Sequence, residues 1–169
     1  MEHPLVQLAR KTIETYLRDG KIIERPKTLA PEMEQKRGVF VSLHRRGKLR
    51  GCIGTFQPTT ENVAAEITRN AIEAATRDPR FSPLTAAELA DLEISVDVLT
   101  APEPVRSVKE LDAKKYGVIV KSGGRRGLLL PDLEGVKTPA EQIEICRRKG
   151  GIGEDEPVEL FRFKVRRFH

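Results

Sequence analysis

A thiol stands between two glycines in the run LRGCIGTF, residues 49–56. Cys52 follows Arg50 and Gly51, and Gly54 comes two residues later. Glycine weakens a strand, so two glycines within four residues indicate a bulge or the close approach of another backbone or a ligand. The thiolate is the reactive form of cysteine, and neighbouring cations lower the thiol pKa. The spacing therefore indicates a candidate nucleophile, Cys52, beside a candidate activating cation, Arg50.

The same residues also fit a purely structural role. Free cysteine is among the most buried residue types, so Cys52 is also typical of a small apolar core residue. Gly51 and Gly54 then allow a helix to pack closely on the strand, whereas in the first interpretation they open space beside a reactive thiol. Both interpretations remain open at the level of sequence.

The thiol has to be positioned by a β-hairpin. Residues 39–43 are β-branched and aromatic, as strands prefer, and residues 45–48 supply a turn that contains Gly47. We expect a three-residue loop with Gly47 in the left-handed position. This register places the apolar residues on one face and Cys52 with Arg50 on the other. The predicted cross-strand pairs are Leu43–Leu49, Val41–Gly51 and Val39–Ile53.

The remaining elements predict an α+β fold, with mostly antiparallel sheets and helices packed against them. Helical periodicity covers residues 4–18, residues 60–77 with Thr59 or Thr60 as the cap, and the stretch from Thr138 to Gly151. Strand-like alternation covers residues 92–99, 117–121 with 128–130, and 158–168. The length predicts one domain, 1–169, with two lobes and a proline-containing connector near 101–106.

Two connecting segments bear on the site. Residues 21–37 contain two prolines and few periodic signals, which is typical of either a loop that lines a cleft or a surface crossing. Residues 78–81 (DPRF) end the second helix. Asp78 is a candidate catalytic acid, or it forms an Asx turn in which Pro79 sets φ.

Charge and composition narrow the classes of function. The chain has 30 Lys and Arg against 25 Asp and Glu, a net charge of +5 and a pI near 9.4. A basic surface attracts anionic substrates, but acidic residues are interspersed and no nucleic-acid motif is present. The pattern therefore favours a solvated surface over nucleic-acid binding. The basic clusters are residues 44–50, 125–126, 147–149 and 162–167.

Other classes are argued against by what the sequence lacks. No apolar run approaches the ~20 residues that span a membrane, and the N-terminus has no signal-peptide core. Neither Cys52 and Cys146 nor the three histidines have metal-ligand spacing, so no metal site and no cofactor are predicted. Two cysteines without a disulfide framework predict a reducing, cytoplasmic setting.

The run at 49–56 resembles the signature of the AMMECR family, whose prokaryotic members are called AmmeMemoRadiSam system protein A. Further matches follow in the family's order over nearly the whole chain. They are residues 74–81 (AATRDPRF), 94–99 (ISVDVL) and 129–131 (LLP). The resemblance implies a two-lobed α+β domain with a cleft lined by residues 50–56 and 78–81. At 149–151 the chain has Lys-Gly-Gly where the family pattern is Lys-Ala-Gly.

Two hypotheses for function follow. In the first, the chain is an enzyme or enzyme component that uses Cys52 as nucleophile, assisted by Asp78, on a small anionic substrate. The resemblance implies work alongside Memo-like and radical SAM proteins in modifying a protein or a metabolite. In the second, the chain is a non-catalytic binding or adaptor domain for a small molecule or partner protein. The predicted binding residues are Arg50, Gly51, Gly54, Thr55, Phe56, Arg80 and Phe81.

Overall fold

A computed structural model describes residues 1–169 and has an α+β architecture with two antiparallel four-stranded sheets. The predicted fold class is thereby confirmed. The chain divides into two compact units. The first contains residues 1–99 and 166–169, and the second contains residues 100–165. None of the helices is both long and apolar enough to cross a membrane.

The first unit is a sheet with its helices packed on one face. Its sheet has the strand order β2-β1-β3-β8. The core lies between this sheet and helices α1 and α3, where Val41, Leu43, Ile13 and Ile67 are fully buried. The elements are α1 (Pro4–Asp19), α2 (Pro31–Glu34), β1 (Val39–Arg45), β2 (Lys48–Thr55), α3 (Val63–Thr76), a 3-10 turn (Ala86–Asp91), β3 (Leu92–Leu99) and β8 (Val165–Phe168).

The hairpin of β1 and β2 has the predicted faces but not the predicted register. Val41 pairs with Ile53 and Leu43 with Gly51, which is a shift of two residues from the predicted pairs. The turn has two residues, Arg46 and Gly47, both with positive φ. A bulge after Leu43 then restores the alternation. Because side chains alternate with a period of two, the shift leaves the core face unchanged.

Helix α3 begins later than predicted. Asn62, rather than Thr59 or Thr60, is the N-cap, and its side-chain oxygen accepts from the Ala65 amide at 2.9 Å. The helix lies against β1 and β2 and contacts α1. Helix α3 therefore covers the core face of the hairpin.

The second unit has its own sheet, with the order β4-β7-β5-β6, and its own core. The predicted last strand is broken at Lys164 into β7 and β8, which belong to different sheets. Within the predicted connector, residues 103–105 form an edge strand, where Pro104 removes no inner ladder bond. The elements are β4 (Glu103–Val105), a 3-10 turn (Val108–Glu110), β5 (Gly117–Ser122), β6 (Arg125–Leu129), α4 (Pro139–Gly150) and β7 (Glu159–Phe163).

Helix α4 packs unusually close to β6. A Cβ atom added at Gly150 would lie within 3.0 Å of the Arg126 backbone, and one added at Gly127 within 3.0 Å of the Cys146 carbonyl. Cys146 itself is fully buried, as its helical position predicts. A side chain at Gly150 would therefore require the backbones of α4 and β6 to move apart.

Candidate functional site

Cys52 lies on the face of the hairpin opposite the core and is half-buried. Its Sγ is 3.2 Å from the Oγ of Ser42, its cross-strand partner, and this hydroxyl is the thiol's only hydrogen-bonding partner. Burial raises the pKa of the Cys52 thiol above its ordinary value, and the hydrogen bond with Ser42 and the charge of Arg80 offset only part of that effect. At neutral pH the residue is therefore a protonated thiol.

Arg50 does not activate the thiol, contrary to the sequence-based expectation. Its guanidinium binds the Glu88 carboxylate through Nε at 3.1 Å and donates to the Ser82 carbonyl at 2.8 Å. Only 16% of the side chain is exposed. Arg50 therefore fastens the segment that follows residue 81 to the hairpin, and its charge is neutralised by Glu88.

The space beside each of the two glycines is occupied by neighbouring atoms. A Cβ at Gly51 would lie within 3.0 Å of the Ala74 carbonyl oxygen in α3, so this glycine allows the helix to approach β2. A Cβ at Gly54 would enter the ring of Phe40, its cross-strand neighbour. Of the two interpretations, close packing of a helix therefore holds for Gly51, and neither glycine opens room beside Cys52, because a helix backbone and an aromatic ring occupy that room.

Asp78 holds the turn after α3 against β2. Its carboxylate accepts from the Cys52 amide at 3.0 Å, the Arg80 amide at 3.1 Å and the Arg80 guanidinium at 2.8 Å. The guanidinium, helped by the two amides, holds the pKa of this buried carboxyl well below its usual range. The residue is ionised at neutral pH and has no proton to donate, which favours the Asx-turn interpretation over a catalytic acid.

We expect Asp78→Asn to lower the free energy of unfolding by about 2 kcal/mol at pH 7, because its amide group would face N–H donors. A carboxyl whose pKa is depressed on folding stabilises the fold above its unfolded pKa and loses that contribution as the pH falls through its folded pKa. The difference from wild type should therefore shrink below about pH 4. Urea unfolding at pH 7 and pH 3 measures it.

A matched control exists for this substitution. Asp155 is exposed and makes no hydrogen bond or ion pair. Asp155→Asn should change the free energy of unfolding by less than about 0.5 kcal/mol at either pH. A wild-type-like Asp78→Asn variant would mean that the turn is held by other contacts.

Thr55 and Phe56 end the motif beside a buried carboxylate that sequence reasoning missed. Thr55 donates through Oγ1 to the Glu66 carboxylate at 2.6 Å, and Phe56 follows it, half-buried. Glu66 is completely buried and also accepts from Thr59 and Thr60. The signal in the sequence is a glutamate inside the apolar stripe of α3. Thr55 is therefore a structural link between β2 and α3.

A second missed carboxylate lies on β3. Asp97 is 1% exposed and pairs in both oxygens with Arg167, at 2.7 and 2.8 Å. Its charge acts on Cys52 and opposes ionisation of the thiol. Alternation alone places Asp97 on a solvated face, so burial and its basic partner in the last strand could not be foreseen locally.

Arg80 and Phe81 are the predicted site residues that remain available for binding. The Arg80 side chain is 56% exposed and its guanidinium lies 5.4 Å from the Phe81 ring centroid. Arg80 also donates to the Cys52 carbonyl at 3.3 Å. The two side chains thus place an exposed guanidinium, paired with Asp78, beside an aromatic ring at the edge of the Cys52 face.

Several arginines of the basic clusters are paired with carboxylates. Such pairing does not favour contact with a phosphate backbone, which depends on positive charges that carry no carboxylate partner. Nor do any three His, Cys, Asp or Glu side chains gather in a group that could hold a metal ion. The ion pairs within the clusters are Arg45–Asp91, Arg50–Glu88, Arg125–Glu156, Arg162–Glu103 and Arg167–Asp97.

Proteins similar to this chain are found by comparison of sequence and of structure. A Thermotoga maritima protein is 55% identical across 99% of this chain and 98% of its own length. A Clostridium acetobutylicum protein is 52% identical over 97% of this chain, but this chain spans only 35% of that longer relative. The crystal structure of an uncharacterised protein from Pyrococcus horikoshii superposes with a TM-score of 0.87 at 35% identity, covering 96% of this chain and 88% of the other.

The family model for AMMECR1 matches residues 6–168, which include the hairpin, the Asp78 turn and both sheets. The match spans nearly the whole chain. The resemblance inferred from LRGCIGTF is confirmed, and the chain belongs to the AMMECR1 family.

Proposed function

We propose that this chain is a non-catalytic binding or adaptor domain, in which Cys52 belongs to a recognition face and is not a nucleophile. The observation that carries this proposal is the environment of the thiol. The only hydrogen-bonding partner of its Sγ is the Ser42 hydroxyl, and burial raises its pKa. A cysteine nucleophile requires a base or a cluster of cations that favours the thiolate. Neither is within hydrogen-bonding distance of this sulfur.

Asp78 engages Nε and Nη2 of Arg80, and the remaining Nη1 group, beside the Phe81 ring, is suited to recognising an acidic group. Arginine and aromatic residues are enriched at protein interfaces, where a planar guanidinium pairs with carboxylates. The buried Asp78 fixes the guanidinium while 56% of the Arg80 side chain stays exposed. A partner carboxylate or phosphate can therefore be bound at little cost in side-chain ordering.

A partner is also suggested by the longer relative. In the Clostridium acetobutylicum protein the matching domain makes up 35% of the chain. A domain that occurs both nearly alone and within a longer chain is suited to working with other domains. We propose that its partners are the Memo-like and radical SAM proteins implied by the family resemblance, in the cytoplasm.

We expect Cys52 to alkylate slowly with iodoacetamide, with an apparent pKa above the ~8.5 of a free thiol. Cys146, whose pKa burial raises to about 11, is the internal control and should react only on unfolding. Peptide mass spectrometry between pH 6 and pH 10 measures both rates. Fast reaction of Cys52 with an apparent pKa below 8 would reverse the proposal and restore the nucleophile.

Partner binding is tested directly by titrating a Memo-like protein from the same organism into the chain by calorimetry. Cys52→Ser replaces the thiol by a smaller hydroxyl and removes any nucleophile, so the variant should still form the complex. Phe81→Ala should bind at least tenfold more weakly, since it removes the aromatic ring beside Arg80. Absence of any complex, or covalent capture of a substrate on Cys52 in the intact mass, would contradict the adaptor role.

A further inference from the structure

The first unit contains a groove that lies apart from the residues of the Cys52 face. Its cavity volume is about 360 Å³, and it is bounded by the last turn of α1, residues 22–26 and helix α3. Small-molecule sites in proteins occupy roughly 300–1,000 Å³. The sequence left open whether residues 21–37 cross the surface or line a cleft. In the structure this segment lines a cleft through Ile22, Ile23 and Pro26.

The floor and walls of this groove are apolar. Ala64 and Ala65 leave room above α3, while Ile23 and Ile72 supply its sides. Ile22 stands at the opening and is 66% exposed, which makes it one of the few large hydrophobic side chains on the surface. A concave apolar surface with an exposed branched side chain at its mouth is suited to covering by an apolar group.

The rim carries one positive charge without a carboxylate partner. Arg25 pairs with Glu61 at 3.0 Å, and Arg77 pairs with Glu73 at 2.8 Å. Arg69 has no such partner, since its guanidinium donates only to the Thr59 hydroxyl at 2.8 Å. This contact leaves further donors of Arg69 free, because a guanidinium carries five N–H groups.

We propose that the groove binds a small amphipathic anion, with its apolar chain or ring on the alanine floor and its single phosphate or carboxylate on Arg69. The charge pattern supports one anionic group rather than several, because the other two arginines at the rim are neutralised. The volume limits the apolar part to a medium-length chain or a small ring system. Arg69 is positioned for the anion by Thr59, which Glu66 holds in turn.

Decyl phosphate is a suitable probe, titrated below its critical micelle concentration into the full chain by calorimetry. We expect one site per chain. Decyl maltoside, which has the same apolar chain and no charge, should bind at least tenfold more weakly, and inorganic phosphate should not bind. Equal affinity for decyl phosphate and decyl maltoside would overturn the assignment of the anion to this groove.

Two variants locate the site. Ala65→Trp fills the groove from a half-exposed helix position and should abolish binding. Arg69→Ala should weaken decyl phosphate at least tenfold, a loss typical of a hydrogen bond to a charged group. The matched control is Arg37→Ala, which removes the same charge from a half-exposed arginine outside the groove and should bind as wild type.

Thermal unfolding of each variant shows that it is folded before the titrations are compared. Undiminished binding by folded Ala65→Trp would place the ligand elsewhere. An equal loss of affinity for decyl phosphate in Arg69→Ala and Arg37→Ala would show that only the net charge matters, and would refute a specific site at Arg69. Binding to anionic vesicles without binding of monomeric decyl phosphate would overturn the proposal, because the ligand would then be a membrane surface and not a free amphiphile.

Discussion

Gly51→Ala is expected to lower the free energy of unfolding by about 3 kcal/mol and the Tm by roughly 9 °C. The added methyl group would lie within 3.0 Å of the Ala74 carbonyl oxygen. That oxygen belongs to the backbone of α3, so no rotamer change can relieve the clash. Either the helix or β2 has to move, and both are packed into the core of the first unit. Urea and thermal unfolding measure the loss.

Gly124→Ala is the matched control, because a Cβ at that position would meet no atom within 4 Å and its φ lies outside the left-handed region. We expect a change of less than about 0.5 kcal/mol. If Gly51→Ala unfolds at the same urea concentration as wild type, α3 does not press on β2 at this glycine. Loss of partner binding in Gly51→Ala would likewise reflect packing, since this glycine contacts a helix and no ligand.

The faces of the hairpin could be predicted from sequence, and the register could not. Alternation of Val39, Val41 and Leu43 determines which side is buried, and a shift by two residues preserves that side. The register depends on the turn, where Arg46 adopts a left-handed φ of 50°. Nothing in an arginine side chain signals that conformation, which is more typical of glycine and asparagine.

The chemistry of Cys52 could not be predicted from its neighbours in the sequence. Arg50 is two residues away, but its guanidinium is paired with Glu88, which lies 38 residues further along the chain. Asp78 contacts the Cys52 amide from 26 residues away. Ion pairs of this kind depend on how a turn folds back on a strand. Spacing alone therefore overstates the effect of a nearby cation on a thiol pKa.

The buried polar side chains of α3 can be recognised in the sequence. Glu66 and Asn70 are four residues apart and interrupt the apolar stripe that runs from Val63 to Ala75. Four residues bring two side chains to the same face of a helix. A polar pair on a core-facing stripe indicates a buried hydrogen-bond network, and the donors that satisfy Glu66 lie just before the helix, in the Thr59–Thr60 segment.

Glu66→Leu is expected to lower the free energy of unfolding by about 4 kcal/mol. The carboxylate is fully buried and accepts from the Thr55 hydroxyl, the Thr59 amide and hydroxyl, and the Thr60 amide. Leucine keeps most of the volume but leaves these donors without an acceptor, at about 1–3 kcal/mol for each buried group. The cost exceeds that of removing a surface ion pair such as Arg25–Glu61, which contributes less than about 1 kcal/mol.

Glu66→Gln removes the charge and keeps the shape of the side chain. It should lower the free energy of unfolding by about 1.5 kcal/mol at pH 7, because one oxygen still accepts hydrogen bonds. Burial by itself raises the pKa of Glu66, but the hydrogen bonds from Thr55, Thr59 and Thr60 outweigh burial and leave it below its usual value. A depressed folded pKa stabilises the protein above the unfolded pKa of about 4.3 and loses that contribution as the pH falls.

The difference between wild type and Glu66→Gln should therefore narrow between pH 5 and pH 3, as measured by urea unfolding at several pH values. A difference that widens on acidification would mean that Glu66 is protonated in the folded state. Because Thr59 also holds Arg69, both Glu66 variants should weaken decyl phosphate binding, and Glu66→Leu more than Glu66→Gln. That order would connect the buried carboxylate to the groove through one threonine.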